Sequence, residues 1–164
     1  MFSQEKATTG PYIKNFGKSF KIENPDISLD QNNVHKVIFD VYTDESKKNE
    51  TNPLLETVAR HLNMHGKQGI LLENLQTVLI IHGGATASVL SEKSFQQTFE
   101  RKNPDYKLIN NLVEAGVEVY VCGQSINARG KTRKDLNPNV KMAVSAITTL
   151  MSYQEKGYSV INFN

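Results

Sequence analysis

Cysteine is nearly missing from this chain: Cys122 is its one representative among 164 residues. An intramolecular disulfide is therefore excluded, and so is a metal site built from cysteines alone. An excess of one charge is missing too. Nineteen basic and 17 acidic side chains leave a formal net charge of +2, which gives no electrostatic reason to expect nucleic acid or an anionic membrane as a partner. No apolar run approaches membrane length; Val78-Leu79-Ile80-Ile81 is typical of the longest, so no membrane span is expected. The glycine patterns GxGxxG and GxxxxGK[ST], the HExxH metal motif and the GxSxG serine elbow are all absent. Dinucleotide, P-loop, metalloprotease and hydrolase readings thereby lose their usual signatures.

What is present is an ordinary soluble composition, with 22% charged and 38% hydrophobic residues. A chain of this length suits one compact domain with a short extension and buries a core without staples. Residues 1–33 read as an irregular arm: Gly10-Pro11, Gly17 and Pro25-Asp26 punctuate a polar stretch without sustained periodicity. Its Tyr12, Ile13, Phe16 and Phe20 predict that the arm packs somewhere rather than staying free. The abrupt start at Met1-Phe2-Ser3-Gln4 resembles that of a domain from which an export signal has been removed. A periplasmic or otherwise exported location is the expectation on that reading, and a cytoplasmic one if the start is native.

Residues 34–164 read as the folded domain. Strands are expected at Lys36 to Tyr42, Thr77 to Ile81, Val117 to Cys122, Val140 to Val144 and Tyr158 to Phe163. Between them, Asn52-Pro53 opens a helix that Gly66 stops. Helices follow over Ser94 to Arg101 and from Asn103-Pro104 to Gly116, then from a Ser125 cap through Leu136, and from Ile147 to Glu155. Five strands alternating with helices predict an α/β sandwich with a mostly parallel five-stranded sheet. In such sheets reactive groups gather where the strands end, because loops and helix N-termini converge there.

Two segments fall at that rim, His82-Gly83-Gly84 and Cys122-Gly123-Gln124-Ser125. A cysteine just before a helix start is offered backbone N–H groups and the positive end of the helix dipole, and Arg129 lies close enough in sequence to add positive field. The competing reading is an inert cysteine finishing a core strand. His82 reads either as a proton shuttle or donor to a sulfur anion, or as a structural imidazole. Gly83 and Gly84 allow close backbone approach. His61 and His65, four apart, have metal-ligand spacing, but a solvated helix face is the expectation and no metal site is assigned. Asp40 interrupts an apolar strand, which places it at the rim or on a hydrogen-bond partner. Pairing Ser125 with His82 as a hydrolase ranks lowest of the readings.

The run Ala115 to Ser125 (AGVEVYVCGQS), with Arg129-Gly130 beyond it, resembles the cysteine segment of the DsrE/DsrF-like (YchN-like) proteins. His82-Gly83 after an apolar strand, Asp135-Leu136-Asn137-Pro138-Asn139-Val140, and Gly157-Tyr158 agree with that family in order and spacing. The resemblance implies a three-layer α/β/α fold and assembly into a homotrimer or hexamer; no cofactor is expected. It also implies a sulfur relay in which Cys122 carries sulfane sulfur as a persulfide between a donor and an acceptor protein. On this reading His82 is catalytic with Cys122, while Gly83, Gly123, Gln124, Ser125 and Arg129 shape the site. The alternative is a non-catalytic binding or assembly module with a structural cysteine.

Overall fold

The computed structural model describes residues 6–163; residues 1–5, on which the expectation of export rested, lie outside the described residues. The apolar runs form β1 (His35–Val41), β2 (Leu75–Ile81), β3 (Glu118–Cys122), β4 (Lys141–Ala143) and β5 (Ser159–Asn162). All pair in parallel, in the order β4-β3-β2-β1-β5. Strands covered on both faces must be apolar nearly throughout, as β1 and β2 are. Val37, Phe39, Leu79 and Ile81 enter one core, while Ile38, Val78 and Ile80 enter the other.

The helices are α1 (Pro53–Lys67), α2 (Glu92–Phe99), α3 (Tyr106–Glu114), α4 (Gly123–Ala128) and α5 (Ala146–Glu155). Parallel crossovers are right-handed, so stepping one way from β1 to β4 puts every connecting helix on the same face. The return from β4 to β5, beyond β1, carries α5 to the opposite face. The two cores follow this rule. Leu55, Leu62, Phe95, Leu108, Leu112 and Ile126 pack on the first face, whereas Ala146 and Tyr153 pack with Cys122 on the second. None of the described helices is long and apolar enough to cross a membrane.

Three local expectations are corrected. The helix after β3 starts at Gly123 and ends at Ala128, instead of running from Ser125 to Leu136. Gly130 adopts φ +63 and closes it in the left-handed conformation that glycine allows, and a Thr132–Asp135 capping box then winds a separate 3-10 turn. Gly66 does not stop α1, which continues to Lys67; it is small because Tyr12 lies on it, and an added Cβ would stand 2.5 Å from the Tyr12 ring. His61 does not lie on a solvated face. It is buried with its ring edge-on to Phe39 at 5.2 Å and to His65 at 4.6 Å. Burial, followed by the charges of His65 and His35, lowers its pKa to about 3, so its imidazole is neutral.

Glu56, Arg60 and Lys67 each hydrogen-bond the arm to α1, and one buried side chain makes the densest set of ties. Asn63, fully buried, accepts from the N–H groups of Tyr12 and Ile13 and donates to the carbonyls of Ile13, Phe16 and Gly17. Ile13 is thereby held in the core, whereas Phe20 remains half exposed.

Candidate functional site

Cys122 occupies the point where the fold changes direction. The chain leaving β3 turns to one face as α4, and the chain leaving the neighbouring β4 turns to the other face as α5. Their two helix starts therefore face one crevice, which is where ligands bind in open parallel sheets. Cys122 is the N-cap residue of α4. Its surroundings hold the thiol pKa below the ordinary value. Burial pushes it up, and the Ser125 hydroxyl together with the N–H groups of Ser125, Ala146 and Gln124 more than offsets that. The residue is 5% exposed, and burial is the largest single influence on its thiol, outweighed only by the donors acting together.

Gly123 makes this convergence possible. A Cβ there would stand 2.7 Å from the Ala143 carbonyl oxygen and 3.4 Å from that of Val144, so only glycine lets the β4–α5 connection pass this closely. Ser145 caps α5 by accepting from Thr148 N–H, which leaves the Ala146 N–H outside the helix ladder and turned to the sulfur. Gln124 donates from Nε2 to the Val144 carbonyl at 3.3 Å, a second tie across the crevice.

The β2 loop meets the site through Ser125. Gly83 N–H donates to Ser125 Oγ at 3.2 Å, so the hydroxyl proton is left to point at Cys122. Gly83 has φ +53, and a Cβ on it would overlap the Tyr42 ring. Gly84 follows it in the same 3-10 turn. Arg129 donates to the carbonyls of Gly83 and Ser125, at 2.5 and 3.0 Å. It braces the two loops, and its guanidinium is directed at carbonyl oxygens. Ser125→Ala removes the one side-chain donor to the sulfur among the described residues. Because a hydrogen bond to a charged group contributes about 1.5 kcal/mol, thiol labelling by iodoacetamide at pH 7 should slow roughly tenfold and its pH profile should move upward. An unchanged profile would show that the hydroxyl does not act on the thiolate.

His82 stands beside Cys122 in the sheet's register: Ile81 pairs with Val121, and the next step on each strand is His82 and Cys122. Its Nε2 is 2.7 Å from Asp40 Oδ1, and Asn162 Nδ2 donates to Asp40 Oδ2 at 3.2 Å. Three adjacent strand ends thus carry a polar row on the α5 face that leads to the cysteine. The Asp40 contact takes up Nε2 of the ring, and Nδ1 is the ring nitrogen turned away from the carboxylate. The Tyr42 ring packs edge-on against His82 at 5.0 Å.

The structure brings together Cys122, Gly123, Gln124, Ser125, His82, Gly83 and Arg129, all singled out from sequence. Sequence reasoning missed Ala146 and Asn162. Ser145 offered an N-cap signal for the former, but nothing local says that α5 begins next to Cys122. Among the described residues no group of three or more His, Cys, Asp or Glu is placed to hold a metal ion.

The family model described as DsrE/DsrF-like family matches residues 36–163. Among solved structures, the ychN protein from E. coli is 16% identical with a TM-score of 0.57, over 79% of this chain and 100% of that one. A protein of unknown function, MTH1491 from Methanobacterium thermoautotrophicum, is 18% identical with a TM-score of 0.55, over 78% of this chain and 98% of its own. At such identities the likeness is one of fold. No curated protein matches the chain.

Proposed function

The chain belongs to the DsrE/DsrF-like family, and from that premise we propose that it handles sulfur, with Cys122 taking up sulfane sulfur as a persulfide and passing it to a partner thiol. The observation that carries this reading is the lowered pKa of Cys122, set by four donors drawn from two helix starts. In the loading step the Cys122 thiolate attacks the outer sulfur of a donor persulfide or polysulfide. A new S–S bond forms, the donor's S–S bond breaks, and the donor leaves as a thiolate. In the unloading step an acceptor thiolate attacks the outer sulfur of the Cys122 persulfide and regenerates the Cys122 thiolate. Each step exchanges one S–S bond for another, so no outside oxidant or reductant is required.

The N–H groups of Gln124, Ser125 and Ala146 serve both states, because thiolate and persulfide are anions of similar position. His82, held by Asp40, offers Nδ1 to the proton released when the thiol ionises. Val144, Ile147 and Met151 form an exposed apolar stripe beside the crevice. That stripe supports assembly into a homotrimer or hexamer with the site close to a subunit border.

Intact-protein mass spectrometry after polysulfide treatment tests the reading. The parent chain should gain sulfur that a reductant removes, and Cys122→Ser should gain none. A second reading, a binding module with a structural cysteine, draws on the 5% exposure of Cys122 and its packing with Ile38, Val78 and Ile80. Sulfur uptake or alkylation only after denaturation would favour that module and end the carrier proposal.

A further inference from the structure

A second cavity system lies on the other face of the sheet, away from Cys122, and has a physical origin in the topology. β5 is an edge strand, and α1 lies over its neighbour β1. The α1-side face of β5, with Ser159, Ile161 and the following Phe163, is therefore left without a helix. Leu29 of the arm and Val34, the first residue after it, also line this cavity of about 550 Å³. It shares Leu29, Arg60, Met64 and His65 with a cavity of about 850 Å³ that runs under the arm past Phe20, Ile22, Ile27 and Ile70. Both volumes fall in the range of small-molecule sites, about 300–1,000 Å³.

Two properties of this groove are unusual for a surface. It leaves large apolar side chains in water, with Ile27 90% exposed and Phe20, Ile22 and Val34 about half exposed. Its charged side chains are also of one sign. Arg60 borders both cavities and Lys18 the second, while no Asp or Glu among the described residues lines either. The Lys36 ammonium lies across the sheet, on the Lys156 carbonyl and the Tyr158 ring, and Lys18 and Arg60 form no ion pair among the described residues. His61 adds a third observation. It lines the first cavity, it is nine-tenths buried, and its Nε2 has no hydrogen-bond partner among the described residues. A buried imidazole nitrogen left without a partner is costly, and a ligand oxygen would satisfy it.

We infer that this groove binds an amphiphilic carboxylate, a long-chain acid whose head sits between Arg60 and His61 and whose hydrocarbon chain runs beneath the arm. The mixed lining of the first cavity suits the head. The second, with Phe20, Ile22 and Ile27 above the already buried Ile70, suits the chain, and covering those three exposed side chains supplies the hydrophobic drive. A neutral His61 donates from Nε2 to a carboxylate oxygen, and the nearby cations set the preference for an anion over a neutral or cationic head. This inference is independent of what Cys122 does.

The test is calorimetric titration of the full chain with dodecanoate, dodecanol and dodecyltrimethylammonium, each below its micelle concentration. Dodecanoate should bind saturably, one per chain, with dodecanol at least about tenfold weaker and the cation weaker still. Arg60→Ala and His61→Leu should each weaken dodecanoate about tenfold. Met64→Glu, at a partly exposed position in both cavities, should abolish binding while circular dichroism and Cys122 labelling stay unchanged. Equal binding of the three head groups would overturn the inference, as would dodecanoate binding that survives Met64→Glu. So would a chain that takes up no dodecanoate and self-associates in a manner that Met64→Glu disrupts, since the occupant would then be a second copy.

Discussion

Asn63→Leu should lower the unfolding free energy by about 3 kcal/mol and make the arm a substrate for proteases. Leucine keeps the branched shape of asparagine with bulkier ends; what the core loses is five hydrogen bonds from one fully buried amide. The N–H groups of Tyr12 and Ile13 and the carbonyls of Phe16 and Gly17 lose their Asn63 partner, while the Ile13 carbonyl keeps the Gly10 N–H, and each buried group so stranded costs about 1–3 kcal/mol. The arm escapes the full sum by detaching, which takes Ile13 out of the core and Tyr12 off Gly66. The cost is therefore capped near the arm's own docking energy. A melting temperature lower by about 6–12 °C is expected for a chain of this size, with early cleavage between residues 12 and 20. A loss below about 1 kcal/mol, or unchanged proteolysis, would show that the arm is held by something other than Asn63.

Gly123→Ala should damage stability and thiol chemistry together. The added methyl carbon would meet the Ala143 carbonyl oxygen at 2.7 Å, and that oxygen belongs to backbone, so no side-chain rotation relieves the clash. The β4–α5 connection must retreat. Overpacking of this kind costs typically about 1–3 kcal/mol. Retreat also withdraws the Ala146 N–H from the sulfur and leaves fewer donors to hold the thiolate. The labelling profile of Cys122 should move to higher pH, and sulfur uptake at neutral pH should fall several-fold. The folded thiolate also links to stability. Because the folded pKa lies below the unfolded one, its contribution is present above the unfolded value and lost as pH falls through the folded value. Gly123→Ala should therefore shrink the stability gained on the alkaline side. Denaturant titrations at neutral and alkaline pH, with iodoacetamide kinetics on the same samples, test both parts. Normal thiol kinetics in a destabilised protein would sink the claim that the close approach builds the site.

Much of the architecture was legible because parallel strands announce themselves. Thr77 to Ile81 and Val117 to Cys122 are β-branched and apolar, and glycines and Asn-Pro pairs mark where they stop. The helix ends were less legible. Gly66 looks like a stop, yet its smallness serves the ring of Tyr12, 54 positions earlier. Ser125 looks like a cap, yet the chain turns helical at once because Gly123 fits beneath the β4–α5 connection. His61 looks solvated by spacing alone, since only packing against Phe39 reveals a buried face.

Read alone, the sequence singles out the residues of the candidate site. A lone cysteine at a strand end, followed by glycine and a serine, marks Cys122, Gly123 and Ser125 wherever the strand lies, because local hydrogen-bonding and steric rules act over a few residues. What surrounds that sulfur is settled by the fold as a whole. The order β4-β3-β2-β1-β5 brings Ala146 to Cys122 across 24 positions and sets Asp40 against His82 across 42. It also opens the basic, apolar groove beside β5. The reason is physical: strand order follows from burying two apolar faces at once with right-handed crossovers, a condition on the whole chain that no local stretch of sequence expresses.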